Sequence, residues 1–265
     1  MSTFGFIGAG NMGGALAAAA SKKLKAGELF ISDPVLGEKT ASALGGTAAD
    51  NEYIAKHCDY IVLGVKPQII SSVCAQIGPL LKERTAPYTV ISMAAGVNIE
   101  SIRERLGVNS PIIRIMPNLP VSVGQGEVLY ACSENVRDGA REQFSEVFSG
   151  AGLLTPLPEH LIDAGSAVSG CGPAFAEMFI EALADGGVAC GLPRKLAMEA
   201  AAQTLLGSAE LLLKTGRHPG EIKDAVCSPG GSTIMGVKAL EDGGFRSSLI
   251  NAVIAAYDKT KALGK

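Results

Sequence analysis

Two rhythms of apolar and polar residues divide the chain near residue 160. Before that point, short apolar runs alternate with stretches of helical spacing. Phe4–Ile7, Leu29–Asp33, Tyr60–Val65, Thr89–Met93 and Ile112–Met116 read as strands. Tyr60–Val65 is apolar almost throughout, the mark of a strand buried on both faces. Between them, Ala15–Ala20, Gly37–Leu44, a short stretch opened by Ala49-Asp50-Asn51, and Ile69–Leu81 read as helices. Gly126–Cys132 and Leu153–Leu157 read as further edge strands around a helix from about Val136 to Phe148. Strands alternating with helices predict a doubly wound, mainly parallel sheet.

After residue 160 the strand pattern does not return. Leu161–Val168 is helical, and Ser169-Gly170-Cys171-Gly172-Pro173 interrupts it. Phe175, Met178, Phe179, Ala182, Leu183 and Gly186 then follow helical spacing, as do Met198, Ala201, Ala202, Leu205, Ala209, Leu212 and Leu213. Both stretches carry small or apolar residues well beyond one stripe. A helix apolar on most faces must be buried, and a domain of about 100 residues has little interior for two of them. The expectation is an α/β domain over residues 1–158 and an all-α domain over residues 159–265, the latter completing its core against a second subunit. Glu177, Glu181 and Asp185 form an acidic stripe that a solvated face explains.

The first candidate chemistry is Gly8-Ala9-Gly10-Asn11-Met12-Gly13, between the first strand and the first helix. There the first glycine permits a tight turn, the second lets backbone approach a pyrophosphate, and the third lets helix pack on strand. The helix start offers free N–H groups and positive dipole to phosphate. Asp33, closing the second strand, is the acid expected to meet a ribose. Ligands of such sheets lie across the strand tips. That rule selects Gly8–Met12, Asp33, Val65-Lys66-Pro67, Met93-Ala94-Ala95 and Met116-Pro117-Asn118. Lys66 reads either as a cofactor contact or as a solvated lysine, and Asn51 either as a contact or as an N-cap. Far downstream, Pro229-Gly230-Gly231 ends one helix, with Ser232 or Thr233 capping the next. Such a turn bares backbone N–H groups that suit a small carboxylate, and it also reads as an ordinary capped turn.

Composition narrows the function. The chain has 265 residues, is 47% hydrophobic and 18% charged, and has a net charge of −3, as an ordinary globular protein does. No basic cluster marks a nucleic-acid surface, and no apolar run has membrane-spanning length. The first strand starts so early that no signal peptide fits ahead of it, so a cytoplasmic protein is expected. Six scattered cysteines without CxxC spacing and three dispersed histidines predict free thiols and no metal site.

Taken together, these stretches resemble pyrroline-5-carboxylate reductase. The resemblance rests on Gly5–Met12, Val65-Lys66-Pro67, Ala94-Ala95-Gly96-Val97, Met116–Pro120, Ser169–Ala174 and above all Lys223–Glu241, with Gly243-Gly244-Phe245-Arg246 following. It implies a Rossmann domain followed by a helical dimerisation domain, in a dimer able to assemble further. It also implies reduction of 1-pyrroline-5-carboxylate to L-proline with NAD(P)H, the last step of proline synthesis. Cofactor contacts would fall on Ile7, Gly8, Ala9, Gly10, Asn11, Met12, Asp33, Pro34, Asn51, Gly64, Val65, Lys66, Pro67, Met93, Ala94 and Ala95. Substrate contacts would fall on Glu159, Ser228, Ser232 and Thr233, with Thr233 beside the ring nitrogen and N–H groups from Gly231 to Thr233 on the carboxylate. Hydride transfer to a cyclic imine needs positioning more than a strong side-chain acid, because the imine is basic enough to arrive partly protonated. The sequence accordingly offers no obvious catalytic histidine. Asp33 departs from many NADP-using members and predicts that NADH serves at least as well as NADPH. Rival readings are a related reductase of another cyclic imine or a β-hydroxy acid, and a noncatalytic dinucleotide sensor. Lys195, beside a Pro-Arg helix start, suits the β-hydroxy acid reading poorly.

Overall fold

A computed structural model describes residues 2–263. The first unit alternates β1 (Phe4–Ile7), α1 (Asn11–Ser21), β2 (Leu29–Ser32), α2 (Gly37–Leu44), β3 (Thr47–Ala48), α3 (Asn51–His57), β4 (Tyr60–Leu63) and α4 (Pro67–Glu83). It continues through β5 (Thr89–Ser92), α5 (Ile99–Leu106), β6 (Ile112–Pro117), β7 (Gly126–Cys132), α6 (Asp138–Phe148), β8 (Gly152–Pro156) and α7 (Ile162–Ser169). The strands form one sheet in the order β3-β2-β1-β4-β5-β6-β7-β8. From β3 to β6 every pairing is parallel; β7 runs antiparallel to β6 and parallel to β8. The first six strands thus have the order of a doubly wound nucleotide-binding sheet.

Alternation along β1 shows why its run is unbroken. Phe4 and Phe6 enter a core with Leu16, Phe144 and Phe148 on one face, while Ile7 joins Ile54, Ile61, Leu63 and Ile77 on the other. Phe4 also stacks on Tyr60 at 4.3 Å between ring centroids. One strand departs from expectation. β7 is not an edge strand; it lies between β6 and β8, and its Val128–Ala131 segment is buried. Helices cover both its faces, so it needs no polar alternation.

The helical part comprises α8 (Gly172–Ala189), α9 (Arg194–Thr215), α10 (Pro219–Val226), α11 (Ser232–Asp242) and α12 (Phe245–Leu263). By internal contacts, residues through Cys171 and those from Ala256 onward form one unit, and Gly172–Ala255 the other. The second unit buries little of its apolar surface in the single chain. Its buried cluster is Ala184, Ala197 and Ala201, with Ile180 and Val188 packed beside it. Met178, Leu206 and Leu213 remain 69%, 60% and 81% exposed. Glu177, Glu181 and Asp185 are exposed as well, and Asp185 pairs with Arg194. No helix among the described residues is long and apolar enough to cross a membrane.

Candidate functional site

Four glycines shape the tips of β1 and β4. Gly8 has φ +102°, where a side chain would be strained, and its N–H donates to Ser32 O at 2.7 Å. A Cβ on Gly13 would lie 2.3 Å from Gly8 O, and one on Gly64 would lie 2.7 Å from the same atom. Backbone therefore packs on backbone at Gly8, Gly13 and Gly64. Gly10 is different: a Cβ there would meet nothing within 4 Å. It is the N-cap of α1 but offers no side-chain acceptor, and Gly14 makes the first helical bond, to Gly10 O at 2.7 Å. The N–H groups of Asn11, Met12 and Gly13 begin the helix with no capping side chain. An open approach over Gly10, ending at an uncapped helix start, fits a dinucleotide's pyrophosphate.

Asp33 follows β2 directly and is bound to the glycine loop. Its Oδ2 accepts from Ala9 N at 2.9 Å, and its Oδ1 accepts from Val35 N and Leu36 N, each at 2.9 Å. Partial burial opposes ionisation, yet the N–H donors of Ala9, Leu36 and Val35 win and hold the carboxyl below its ordinary value.

These features share a cleft of about 770 Å³. Ile7, Gly8, Gly10, Asp33, Pro34, Asn51, Gly64, Val65 and Lys66 line it. Ala9, Asn11, Met12, Pro67, Met93, Ala94 and Ala95 do not. Ala9 and Ala94 are buried, 4% and 1% exposed. Asn11 and Met12 open α1, Pro67 opens α4, and Met93–Ala95 follow β5. Lys66, the N-cap position of α4, is exposed and makes no ion pair among the described residues. The N-cap reading of Asn51 is corrected: Asp50 caps α3, its Oδ1 accepting from Tyr53 N at 2.7 Å. Asn51 is the first helical residue and is one of those lining the cleft.

Sequence reasoning missed part of this lining. Ser32 and Asp50 sit beside expected residues, and Ile69, Ser72, Val73 and Gln76 come from α4. Their i, i+3, i+4, i+7 spacing was visible, but a polar pair inside an apolar stripe reads as helix surface until the opposing wall is known.

In the helical unit, Ser228–Gly231 forms a hydrogen-bonded turn, with Gly231 N donating to Ser228 O at 3.0 Å. Pro229 and Gly230, the latter at φ +70°, fill the positions a type II turn assigns to them. The N-cap of α11 is Gly231, neither Ser232 nor Thr233 as the sequence suggested, and no side chain caps it. A Cβ on Gly231 would sit 2.4 Å from Ser228 Oγ, so the Ser228 hydroxyl occupies the space a capping side chain would need. Ser232 and Thr233 form the exposed first turn. Glu159 belongs to the first unit. Its Oε1 accepts from Ile99 N at 2.6 Å and lies 3.5 Å from Arg114 Nη1.

The six cysteines are free, and burial pushes Cys58 up to about 12 and Cys74 up to about 11, far from thiolate chemistry. Among the described residues no group of three or more His, Cys, Asp or Glu is placed to hold a metal ion.

Comparison with known proteins bears on both halves. Residues 159–263 match the family model for pyrroline-5-carboxylate reductase dimerisation. Residues 3–96 match that for NADP oxidoreductase, coenzyme F420-dependent. The chain is 43% identical to pyrroline-5-carboxylate reductase 2 of Bos taurus over 98% of its own length and 83% of the relative's. It is 40% identical to pyrroline-5-carboxylate reductase of Methanosarcina acetivorans, over 98% and 97%. The chain belongs to the pyrroline-5-carboxylate reductase family. Among solved structures, the Plasmodium falciparum pyrroline carboxylate reductase with NADP bound superimposes with a TM-score of 0.90 at 36% identity, covering 100% of this chain and 98% of that one. The Coxiella burnetii enzyme also scores 0.90, at 32% identity, covering 100% and 99%. Membership establishes the reaction as reduction of 1-pyrroline-5-carboxylate to L-proline by an NAD(P)H-dependent oxidoreductase that works as a homo-oligomer. Another imine, a β-hydroxy acid and a noncatalytic sensor are not favoured.

Proposed function

We propose that the residues of this chain divide the family's reaction as follows. The open face over Gly10 and the N–H groups of Asn11, Met12 and Gly13 hold the pyrophosphate of NAD(P)H. Asp33 meets the ribose, and the tips of β4 and β5, Gly64–Pro67 and Met93–Ala95, hold the remainder. Bound NAD(P)H supplies the hydride. N–H groups from Gly231 to Thr233 hold the substrate carboxylate, and Ser228 lends its hydroxyl to the same site. Thr233 Oγ1 hydrogen-bonds the ring nitrogen, which arrives carrying its proton, so orientation rather than a strong acid accelerates the reaction. Glu159 is a further substrate contact.

One observation carries the substrate half. The α11 start has no capping side chain, and a hydroxyl stands where the cap's own side chain would be. α2, α4, α6, α7 and α9 also start without a capping side chain; at α11 the Ser228 hydroxyl stands beside the N-cap as well, and the two together suit an anion. Thr233→Ala tests the reading: kcat falls tenfold or more, about 1.4 kcal/mol, with the Kd for NADH unchanged. Unaltered turnover in purified variant rejects the role.

The coenzyme preference follows from Asp33. An ionised carboxylate beside the ribose accepts from the hydroxyls of NADH and repels a 2′-phosphate. NADH therefore serves at least as well as NADPH, and a tenfold or larger advantage for NADPH in kcat/KM overturns this. The assembly is a dimer through residues 159–265, able to build higher oligomers. This division takes Glu159, where the dimerisation match begins, as its start, although α7 clusters with the first unit. The six free thiols favour a reducing compartment, the cytoplasm.

A further inference from the structure

Gln76 stands on α4 at the rim of the nucleotide cleft, and neither the sequence motifs nor the glycine loop gives it a role. It closes a hydrogen-bond chain among residues that line that cleft. Ser32 Oγ donates to Asn51 Oδ1 at 2.6 Å, and Asn51 Nδ2 donates to Gln76 Oε1 at 2.8 Å. The chain links the tip of β2, the first turn of α3 and the third turn of α4.

A carboxamide has one acceptor oxygen and two N–H donors, and it can flip end for end. Ser32 alone does not decide the flip, because a hydroxyl donates or accepts. Gln76 does not decide it either, because its own carboxamide flips in step; the two bonds together fix the place and plane of the Asn51 carboxamide. Asn51 keeps one N–H and one lone pair for a ligand, and is held in place from both sides. Ser32 and Asn51 adjoin Asp33, the residue that meets the ribose, so the fixed carboxamide faces the adenosine half of the dinucleotide. We propose that Gln76 is a positioning residue for NAD(P)H: it fixes the Asn51 carboxamide toward the adenosine half of the cofactor. This rests on the cofactor reading of the cleft, and it concerns binding rather than hydride transfer.

Four variants of the whole chain test it: Gln76→Met, Gln76→Glu, Asn51→Ala, and Asn51→Ala with Gln76→Met. Gln76→Met removes the oxygen and keeps the length of an exposed side chain, so melting temperature serves as a fold control. The expected result is a rise of about tenfold in KM for NADH, or about 1.4 kcal/mol, while kcat at saturating NADH falls less than twofold. Inhibition by ADP-ribose, which has the adenosine half and no nicotinamide, weakens by the same factor. Gln76→Glu keeps an acceptor for Asn51 Nδ2 and brings KM for NADH back to within about threefold of the parent. In an Asn51→Ala background, Gln76→Met costs nothing more. The proposal is overturned by an unchanged KM for NADH in Gln76→Met, by unaltered ADP-ribose inhibition, by a Gln76→Glu loss as large as that of Gln76→Met, or by additive losses in the Asn51→Ala background. If ADP-ribose fails to inhibit even the parent enzyme, the cofactor reading of the cleft falls instead.

Discussion

Gly10 and Gly13 are three residues apart, and the structure gives them opposite tolerances. Gly10 has ordinary backbone angles and open space before it, whereas Gly13 faces the Gly8 carbonyl at a distance no Cβ can accept. Gly10→Ala is therefore expected to melt within a degree or two of the parent and to bind NADH about tenfold more weakly. Gly13→Ala is expected to lose about 1–3 kcal/mol of stability, because the obstructing atom is backbone. Thermal melts and NADH titrations of both variants separate the roles. Asp33 supplies a pH prediction at the same scale. Its carboxyl is held below its ordinary value in the fold, so its contribution is complete above the unfolded value of 3.8 and disappears as pH falls through the lower folded one. Asp33→Asn should lower the melting temperature near neutral pH, and the gap from the parent should narrow on acidification below that range. The glycine motif and its acid were legible in the sequence because the loop is local. The contribution of Gly64 as a packing partner of Gly8 was not, since it comes from the neighbouring strand.

At the scale of elements, the segment after β8 is held by β6. Arg114, 3% exposed, reaches Asp163 at 2.5 Å and Glu159 at 3.5 Å, while Asn118 donates to Ser169 O at 3.0 Å. Both ends of α7 are thus fixed to β6 and the residue that follows it. Glu159 in addition meets the first N–H of α5, where the helix start favours a negative charge. Removing the guanidinium would leave two carboxylates facing each other without a counter-charge. Because both remain about a third exposed, the loss should fall short of a fully buried pair. Arg114→Met is expected to cost about 2 kcal/mol, read as a lower melting temperature. Adding Asp163→Leu should recover part of it. No window of sequence shows this network, since Arg114 lies 45 and 49 residues from its partners. The elements themselves were legible from periodicity. β7 was misread as an edge because length and turn signals do not say which strand lies beyond it.

At the scale of the whole molecule, the two units differ in how much each completes alone. The first buries two large clusters on either side of its sheet; the second buries a few alanines and leaves leucines in water. Each exposed leucine forgoes about 2 kcal/mol of burial, which a second copy of the chain would restore. Leu206→Glu combined with Leu213→Glu is expected to shift the protein toward monomer in sedimentation velocity and to lower kcat/KM in proportion. An unchanged assembly would remove α9 from the interface. The sequence by itself determined the strand–helix alternation, the glycine loop with its acid and the overly apolar helices, because each is a local pattern or a property of one element. It also named the turn before α11. Only the tertiary structure decided that Gly231 rather than a hydroxyl residue is the N-cap of that helix, that Asp50 displaces Asn51 as cap, and that α4 and β6 contribute Gln76 and Arg114. Those outcomes depend on which atoms the folded chain brings within bonding distance, and residue order alone does not encode distance.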